Sequence, residues 1–284
     1  MERIADQNGF LLGIDTGSSK THALITDFGG NVLGMGAAGC GNYETIGEAG
    51  FKDALQTAVE QALRAAKISK TEISAMGLGI CGYDWPTEAS LMIRAIDSLG
   101  INCAYQFVND VTIGLLAGTS EGWGIAVDAG TGNNVRGRDR LGRIGRITGN
   151  SAPFGELGGA GELVWRAIIR VTYAWTQRSG PTKMTDLFMQ YANVNSEEAL
   201  IESLAMEQID LPASLAPQII RLAEKGDAGA LEVVDYSARE LALNVNAVVR
   251  QLQFQDLAFE IVLIGSVFTA GEIYLAPFRE TIFG

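Results

Sequence analysis

Two stretches of this 284-residue chain share one grammar: an apolar strand, an Asp at its end, then a tight turn of small residues. The first is Gly13-Ile14-Asp15-Thr16-Gly17-Ser18-Ser19-Lys20-Thr21, set between Phe10-Leu11-Leu12 and Ala23-Leu24-Ile25. Gly17 permits positive φ and close approach, and the backbone N–H groups of Thr16 to Ser19 can form an anion-binding concavity. Ser18, Ser19 and Lys20 add hydroxyl and ammonium donors, and Asp15 can hold a hydrated Mg²⁺. Alone, this stretch reads equally well as an ordinary β-hairpin with a surface Lys. The second, Gly124-Ile125-Ala126-Val127-Asp128-Ala129-Gly130-Thr131-Gly132-Asn133, breaks the tie. One such turn arises easily by chance, whereas two in separate parts of a chain suit a pair of phosphate hairpins, one per lobe. An acid at each would grip a Mg–nucleotide from two sides. Neither stretch is a G-x-x-x-x-G-K-[ST] loop, and no G-x-G-x-x-G opens a helix to suggest a dinucleotide site.

Composition narrows the partners. Apolar residues make up 47% and charged residues 19%, as in a globular protein with ample core. The net charge of −12 argues against nucleic acid, whose phosphates need a basic surface. No apolar run approaches the ~18–20 residues of a membrane span, and the N-terminus lacks the order of a signal peptide. Cys40, Cys81 and Cys103 are scattered and odd in number, which suits a reduced, cytoplasmic setting better than a disulfide framework. The lone histidine, His22, lies on an expected strand and is read as structural, because a metal site needs several such ligands.

The order of elements is equally informative. Strands are expected at Phe10–Asp15, His22–Asp27 and Val32–Ala38, with a turn at Gly29-Gly30-Asn31. Phe51, Leu55, Ala58, Val59, Ala62 and Leu63 fall at helical spacing and predict a helix over Gly47–Lys67. Strand Ser74–Ile80, helix Thr87–Leu99, strand Ala104–Asn109 and a short helix Val111–Ala117 complete the order βββαβαβα. The pattern then restarts. Strands Gly124–Asp128 and Asn134–Arg138, a helix from about Gly161 to Gln177, an almost wholly helical 183–255, strand Phe259–Gly265 and helix Glu272–Ile282 follow. Asp227–Gln253 is the longest helix expected in the helical stretch. The expected fold class is α/β: two lobes, 1–120 and 121–284, each a mixed sheet flanked by helices, with a helical insertion in the second.

These residues resemble the superfamily of actin, sugar kinases and heat-shock chaperone ATPases, with its ribonuclease H-like lobes. Within it the chain is similar to the BadF/BadG/BcrA/BcrD-type ATPase family, whose members include N-acetylglucosamine kinases. Gly13–Asp27 is similar to the first phosphate motif, and Gly39-Cys40-Gly41-Asn42-Tyr43 to a segment whose Asn contacts sugar. Val108-Asn109-Asp110 resembles the strand end that presents the catalytic Asp. Gly130-Thr131-Gly132-Asn133 resembles a Gly-Thr-Gly-Ser second phosphate loop, and Gly265-Ser266-Val267-Phe268 a Gly-Gly-Val-Phe adenosine motif. Two departures stand out. The family's Gly-Asp-Glu-Gly-Ser appears as Gly155-Glu156-Leu157-Gly158-Gly159, where Glu156 replaces a sugar-binding Asp. The chain also stops at Gly284, before a further helix the family usually adds, from which a truncated gene product or a shortened second lobe is expected, leaving nucleotide affinity open.

The resemblance implies an ATP-dependent kinase transferring the γ-phosphate of Mg–ATP to N-acetylglucosamine or a related amino sugar or hexose. Asp110 would be the catalytic base, or simply the N-cap of the helix behind it. Thr16, Gly17, Ser18, Ser19, Lys20, Gly130, Thr131, Gly132, Gly265 and Ser266 would bind nucleotide. Asn42, Tyr43, Asn109 and Glu156 would meet the sugar, while Asn42 and Tyr43 read equally as a loop leading into a helix. Asp15 and Asp128 would hold Mg²⁺ through water, or Asp128 would only brace its turn and Lys20 would be solvated. Trp85 reads as a half-buried loop aromatic before a sugar-stacking one. Arg136, Arg138, Arg140, Arg143 and Arg146 read as a solvated hairpin before a phosphate-facing one. The partner is a small-molecule sugar, and a homodimer stays open. Other readings are an ATPase activating CoA-thioester dehydratases or reductases, with Cys81 and Cys103 as Fe–S ligands, and a weakened nucleotide-binding protein.

Overall fold

The computed structural model describes residues 9–283. Residues 1–8, in which the sequence shows no signal-peptide order, lie outside the described residues. The chain divides into two compact units, Met1–Ala117 and Gly118–Gly284.

In the first unit, strands β1 (Phe10–Thr16), β2 (Thr21–Thr26) and β3 (Val32–Ala38) form an antiparallel meander. The β2–β3 turn is fixed by Asp27, whose Oδ1 accepts from the N–H groups of Gly29 at 2.8 Å and Asn31 at 2.9 Å. Helix α1 (Tyr43–Ala66) follows, then β4 (Ile73–Ile80), α2 (Ala89–Asp97), β5 (Ala104–Asn109) and α3 (Asp110–Gly118). The sheet order is β3-β2-β1-β4-β5, with β1, β4 and β5 parallel, as helical crossovers require. Leu12 and Ile14 alternate into a core with Phe51, Leu55, Ala58, Val59, Ala62 and Leu63, the helical stripe seen in the sequence. That stripe sits on a helix longer than expected. A first turn from Tyr43 precedes a break at Gly47, where φ is 70° and ψ 172°, and the regular helix starts only there.

The second unit repeats the opening with β6 (Gly124–Ala129), β7 (Asn133–Arg138) and a short β8 (Ile144–Arg146). Helix α4 (Ala160–Trp175) leads into the helical insertion: α5 (Met184–Ala192), α6 (Glu197–Ala205), α7 (Ala216–Glu224) and α8 (Ala228–Leu252). Strand β9 (Ile261–Ile264) then joins β6 in parallel, giving the order β8-β7-β6-β9, and α9 (Glu272–Phe283) follows. β9 is shorter than the apolar run that predicts it, because Gly265 turns to φ 103° and leaves the strand. Helix α8 lines the core through Val233, Val234, Ala238, Leu241, Ala242, Val245 and Val248.

The arginine run departs from expectation in part. Arg136 is buried at 6% exposure, Arg138 donates to the Gly122 carbonyl at 2.9 Å, and the Arg140 guanidinium lies 4.4 Å from the Trp123 ring centre. Arg143 Nε meets Asp139 Oδ2 at 2.5 Å. Arg136 is thus withdrawn from solvent, whereas Arg140 and Arg143 stay exposed as a solvated hairpin would have them. Among the described residues no helix is long and apolar enough to cross a membrane.

Candidate active site

The parallel register of the first sheet brings three strand ends to one edge. Thr16 pairs with Ile80, and Ile80 with Asn109, so Asp15, Cys81 and Asp110 emerge side by side. Strand carboxyl ends are where open α/β sheets place their ligands. The β1–β2 tip is closed by the Gly17 N–H donating to the Lys20 carbonyl at 2.8 Å, which leaves Ser18, Ser19 and Lys20 exposed. Thr16 is fully buried: its hydroxyl oxygen accepts from the Cys81 N–H at 3.0 Å, locking β1 to the loop after β4. Any contribution of Thr16 to an anion site must therefore come from its backbone.

Asp110 opens α3. Its Oδ1 accepts from the Val111 N–H at 2.9 Å, and Asn109 Oδ1 accepts from the same N–H at 3.0 Å. Burial first, with nearby Asp15 and Asp84 adding to it against the opposing bond from Val111, pushes the Asp110 carboxyl up to about 6. A carboxyl poised there is ionised at neutral pH and basic enough to take a proton. Asn109, just before α3, makes the capping bond, and Asp110 at its first position shares the Val111 N–H while standing as the poised base. Asp15 is also raised, first by burial, with His22 across the β1–β2 pair opposing the shift. Cys81, pushed up to about 12 chiefly by burial and next by Asp110, stays a thiol; its Sγ lies 3.4 Å from Ser18 Oγ.

The residues expected to meet sugar sit close by, but their polar atoms are partly spent. Asn42 caps α1 through Oδ1, which accepts from the Glu44 N–H at 3.0 Å. The Tyr43 hydroxyl donates to the Gly82 carbonyl at 3.2 Å, and burial together with Glu88 raises its pKa. Asn109 is 3% exposed: Nδ2 donates to the Tyr83 carbonyl and to Asp84 Oδ1, each at 3.3 Å, while Oδ1 holds Val111. Its amide is consumed within the protein, so Asn109 supports Asp110 and the 83–84 loop from behind instead of lining the site. Trp85 is exposed at 41%.

In the second unit the β6–β7 loop rests on the start of α4. The Ala160 N–H donates to the Gly130 carbonyl at 2.9 Å and the Gly161 N–H to the Thr131 carbonyl at 2.8 Å. A Cβ on Gly159 would lie 2.3 Å from the Gly132 carbonyl oxygen, so only glycine lets loop and helix meet. The adenosine-like segment arrives at the same place. Asp128 pairs with Ile264, and a Cβ on Gly265 would lie 2.4 Å from the Ala129 carbonyl oxygen. Gly265, Ser266, Gly130, Thr131 and Asp128 are therefore brought together at the ends of β6 and β9.

Glu156 is placed differently from the expected sugar contact. It is 6% exposed, and its carboxylate accepts from the Thr148 N–H at 2.5 Å, the Thr148 hydroxyl at 2.9 Å and the Asn150 N–H at 3.0 Å. Those bonds make it a staple for the 148–150 loop. The sequence reading passed over Glu162, the third residue of α4, which is 6% exposed, raised by burial and packed behind Gly132. Its signal was the spacing of Glu three residues after the helix-capping Gly159. Among the described residues, no three His, Cys, Asp or Glu side chains cluster to hold a metal ion.

Known proteins are similar over nearly the whole chain. An N-acetylmuramic acid/N-acetylglucosamine kinase of Clostridium acetobutylicum is 29% identical over 273 residues, covering 95% of this chain and 89% of that protein. An N-acetyl-D-glucosamine kinase of Dictyostelium discoideum is 25% identical over 253 residues, covering 85% and 79%. Among solved structures, a Chromobacterium violaceum protein provisionally described as an N-acetylglucosamine kinase superposes with a TM-score of 0.76 at 22% identity, covering 98% and 94%. A ROK family glucokinase from Streptomyces griseus, solved with glucose and AMPPNP, gives a TM-score of 0.56 at 19% identity, covering 97% and 90%. These likenesses show the two-sheet α/β fold of sugar kinases. The sequence model of the BadF/BadG/BcrA/BcrD ATPase family matches residues 12–278, and the chain belongs to that family.

Proposed function

We propose that the protein is an ATP-dependent amino-sugar kinase that transfers the γ-phosphate of Mg–ATP to a hydroxyl of N-acetylglucosamine or a close relative. The observation that carries the reading is Asp110: a carboxyl held at about 6 on the strand-end edge that also bears the β1–β2 phosphate hairpin. The names of the two kinase relatives point to the same substrate class.

Phosphoryl transfer asks a protein mainly for positioning and charge neutralisation. In this reading Asp110 accepts the proton of the attacking sugar hydroxyl as the oxygen meets the γ-phosphorus. The backbone of Thr16–Ser19, with Lys20 and the Ser18 and Ser19 hydroxyls, receives phosphate oxygens. Gly130, Thr131 and Gly132 form the second phosphate loop, and Gly265 and Ser266 the adenosine side. Asn42 and Tyr43 orient the sugar, with Tyr43 held by the Gly82 carbonyl. Magnesium usually keeps several waters and binds through one or two carboxylates plus substrate phosphates, so it needs no protein cage. The single carboxylates Asp15 and Asp128, each at a strand end, fit that demand through water. Bound with the nucleotide, Mg²⁺ would neutralise charge on the phosphates.

The test is product identification. Incubation with ATP, Mg²⁺ and a panel of amino sugars and hexoses, followed by mass spectrometry and ³¹P NMR, should yield a sugar monophosphate and equimolar ADP. ADP formation at the same rate without any sugar, and no phosphorylated sugar, would remove the kinase reading.

A further inference from the structure

The two glycines that lead into α4 have no side chains to fix the turn they make, and glycine leaves its own backbone soft. Gly158 stands at φ 144°, and a Cβ there would lie 2.6 Å from the Leu241 Cβ of α8. Its neighbour Gly159 packs on the Gly132 carbonyl oxygen, which stands 2.3 Å from where a Cβ would be. What holds the turn comes from α9. The Tyr274 hydroxyl donates to the Gly158 carbonyl at 2.8 Å, and Tyr274 is fully buried there. The Ser237 carbonyl, at 3.4 Å, is the more distant acceptor for the single hydroxyl proton. The Tyr274 ring meets Phe268 edge-on, 6.1 Å between centres, so the same side chain also touches the segment that follows Gly265.

A carbonyl and the next N–H share one rigid plane. Fixing the Gly158 carbonyl therefore fixes the plane it shares with the Gly159 N–H, and with it the direction in which α4 starts. The Ala160 and Gly161 N–H groups come next and hold the Gly130 and Thr131 carbonyls at 2.9 and 2.8 Å. We propose that Tyr274 is a positioning residue: its hydroxyl, through Gly158, sets the start of α4 and thereby the shape of the Gly130-Thr131-Gly132 loop. The proposal rests on the reading of that loop as a phosphate site for its consequence, but not for the contacts themselves. In a trans peptide the C=O and the following N–H point opposite ways. With the Gly130 and Thr131 carbonyls turned to α4, the N–H groups of Thr131 and Gly132 turn away from it, free to meet a phosphate oxygen. Tyr274 acts on them only through the turn.

Tyr274→Phe removes the hydroxyl and keeps the ring on Phe268. The net worth of one hydrogen bond corresponds to about 3- to 10-fold in an equilibrium. Amide hydrogen exchange should speed up by that factor at Ala160 and Gly161, over and above any change at Val127 within β6. Equal acceleration at all three sites means a general loss of stability and overturns the positioning role. Calorimetry should show Mg–ATP affinity lowered by about 3- to 10-fold, with the KM for the phosphorylated sugar within about twofold of wild type. Unchanged Mg–ATP affinity in the folded variant overturns the role as well. If the wild type binds no Mg–ATP, the phosphate-loop reading fails instead, and the exchange rates still decide whether Tyr274 sets the turn. Should Tyr274→Phe not fold, the wild type alone decides. Saturating Mg–ATP must then slow exchange at Ala160 and Gly161 and also at the Tyr274 N–H, which donates to the Gly271 carbonyl at 3.1 Å, because coupling is reciprocal. Slowing at the loop alone overturns the proposal.

Discussion

Replacing Asp110 by Asn should make the protein more stable at neutral pH, and the gain should vanish in acid. Burial, with Asp15 and Asp84 adding to it, raises the Asp110 carboxyl from 3.8 to about 6. A raised pKa means that the folded state binds the proton more tightly than the unfolded chain does. The protonated form therefore contributes stability that is fully present below pH ~4 and is lost as pH rises through ~6. At 1.36 kcal/mol per pKa unit, the ionised carboxylate costs about 3 kcal/mol at pH 7.5. The Asn side chain would be neutral, nearly isosteric and still able to accept from the Val111 N–H, so most of that cost should be recovered. One kcal/mol moves a melting midpoint by roughly 2–8 °C, depending on the size of the cooperative unit. Melting curves of wild type and Asp110→Asn from pH 4 to 8 should coincide at the acid end and separate by several degrees above pH 6.5. Coincident curves throughout, or a separation that grows as pH falls, would refute the reasoning.

Gly265→Ala would put a Cβ 2.4 Å from the Ala129 carbonyl oxygen at a φ of 103°. The strain of positive φ alone is about 1–2 kcal/mol, so Mg–ATP affinity by calorimetry should fall about tenfold or more; unchanged affinity would take this segment out of the nucleotide site. Glu156→Gln removes a buried charge that three donors share at Thr148 and Asn150, and should lower stability by about 1–3 kcal/mol. If the variant instead keeps its melting temperature and loses only sugar affinity, Glu156 meets substrate as the sequence suggested.

How far the sequence could be read depended on what each signal encodes. Alternation of Leu12 and Ile14 with Gly13 and Asp15 specifies one buried face, and the Gly- and Thr-rich turns specify hairpins, so both Asp-bearing strand ends were legible. The helical stripe from Phe51 to Leu63 was legible for the same reason. A pattern does not say what a polar side chain will bond to. Asn109 looked like a ligand contact because it precedes Asp110, but its amide is spent on Tyr83, Asp84 and Val111. Tyr43 and Glu156 are committed by partners that only folding brings near, Gly82 for one and Thr148 and Asn150 for the other. The Arg136 to Arg146 run looked solvated because Gly and Arg alternate there; burial of Arg136 depends on what packs over β7, which spacing cannot encode.

The central claim is that Asp110 performs chemistry and does more than brace the first turn of α3. Asn can still accept from the Val111 N–H but cannot accept the sugar's proton, and loss of a general base typically costs ~10²–10⁴-fold in rate. The decisive measurement is sugar-dependent ADP production by wild type and Asp110→Asn with N-acetylglucosamine, beside a calorimetric titration of Mg–ATP into each. The account predicts a fall of that order in turnover with nucleotide affinity within a few-fold of wild type. Near-wild-type turnover by the Asn variant, with a sugar that the wild type phosphorylates, would contradict it.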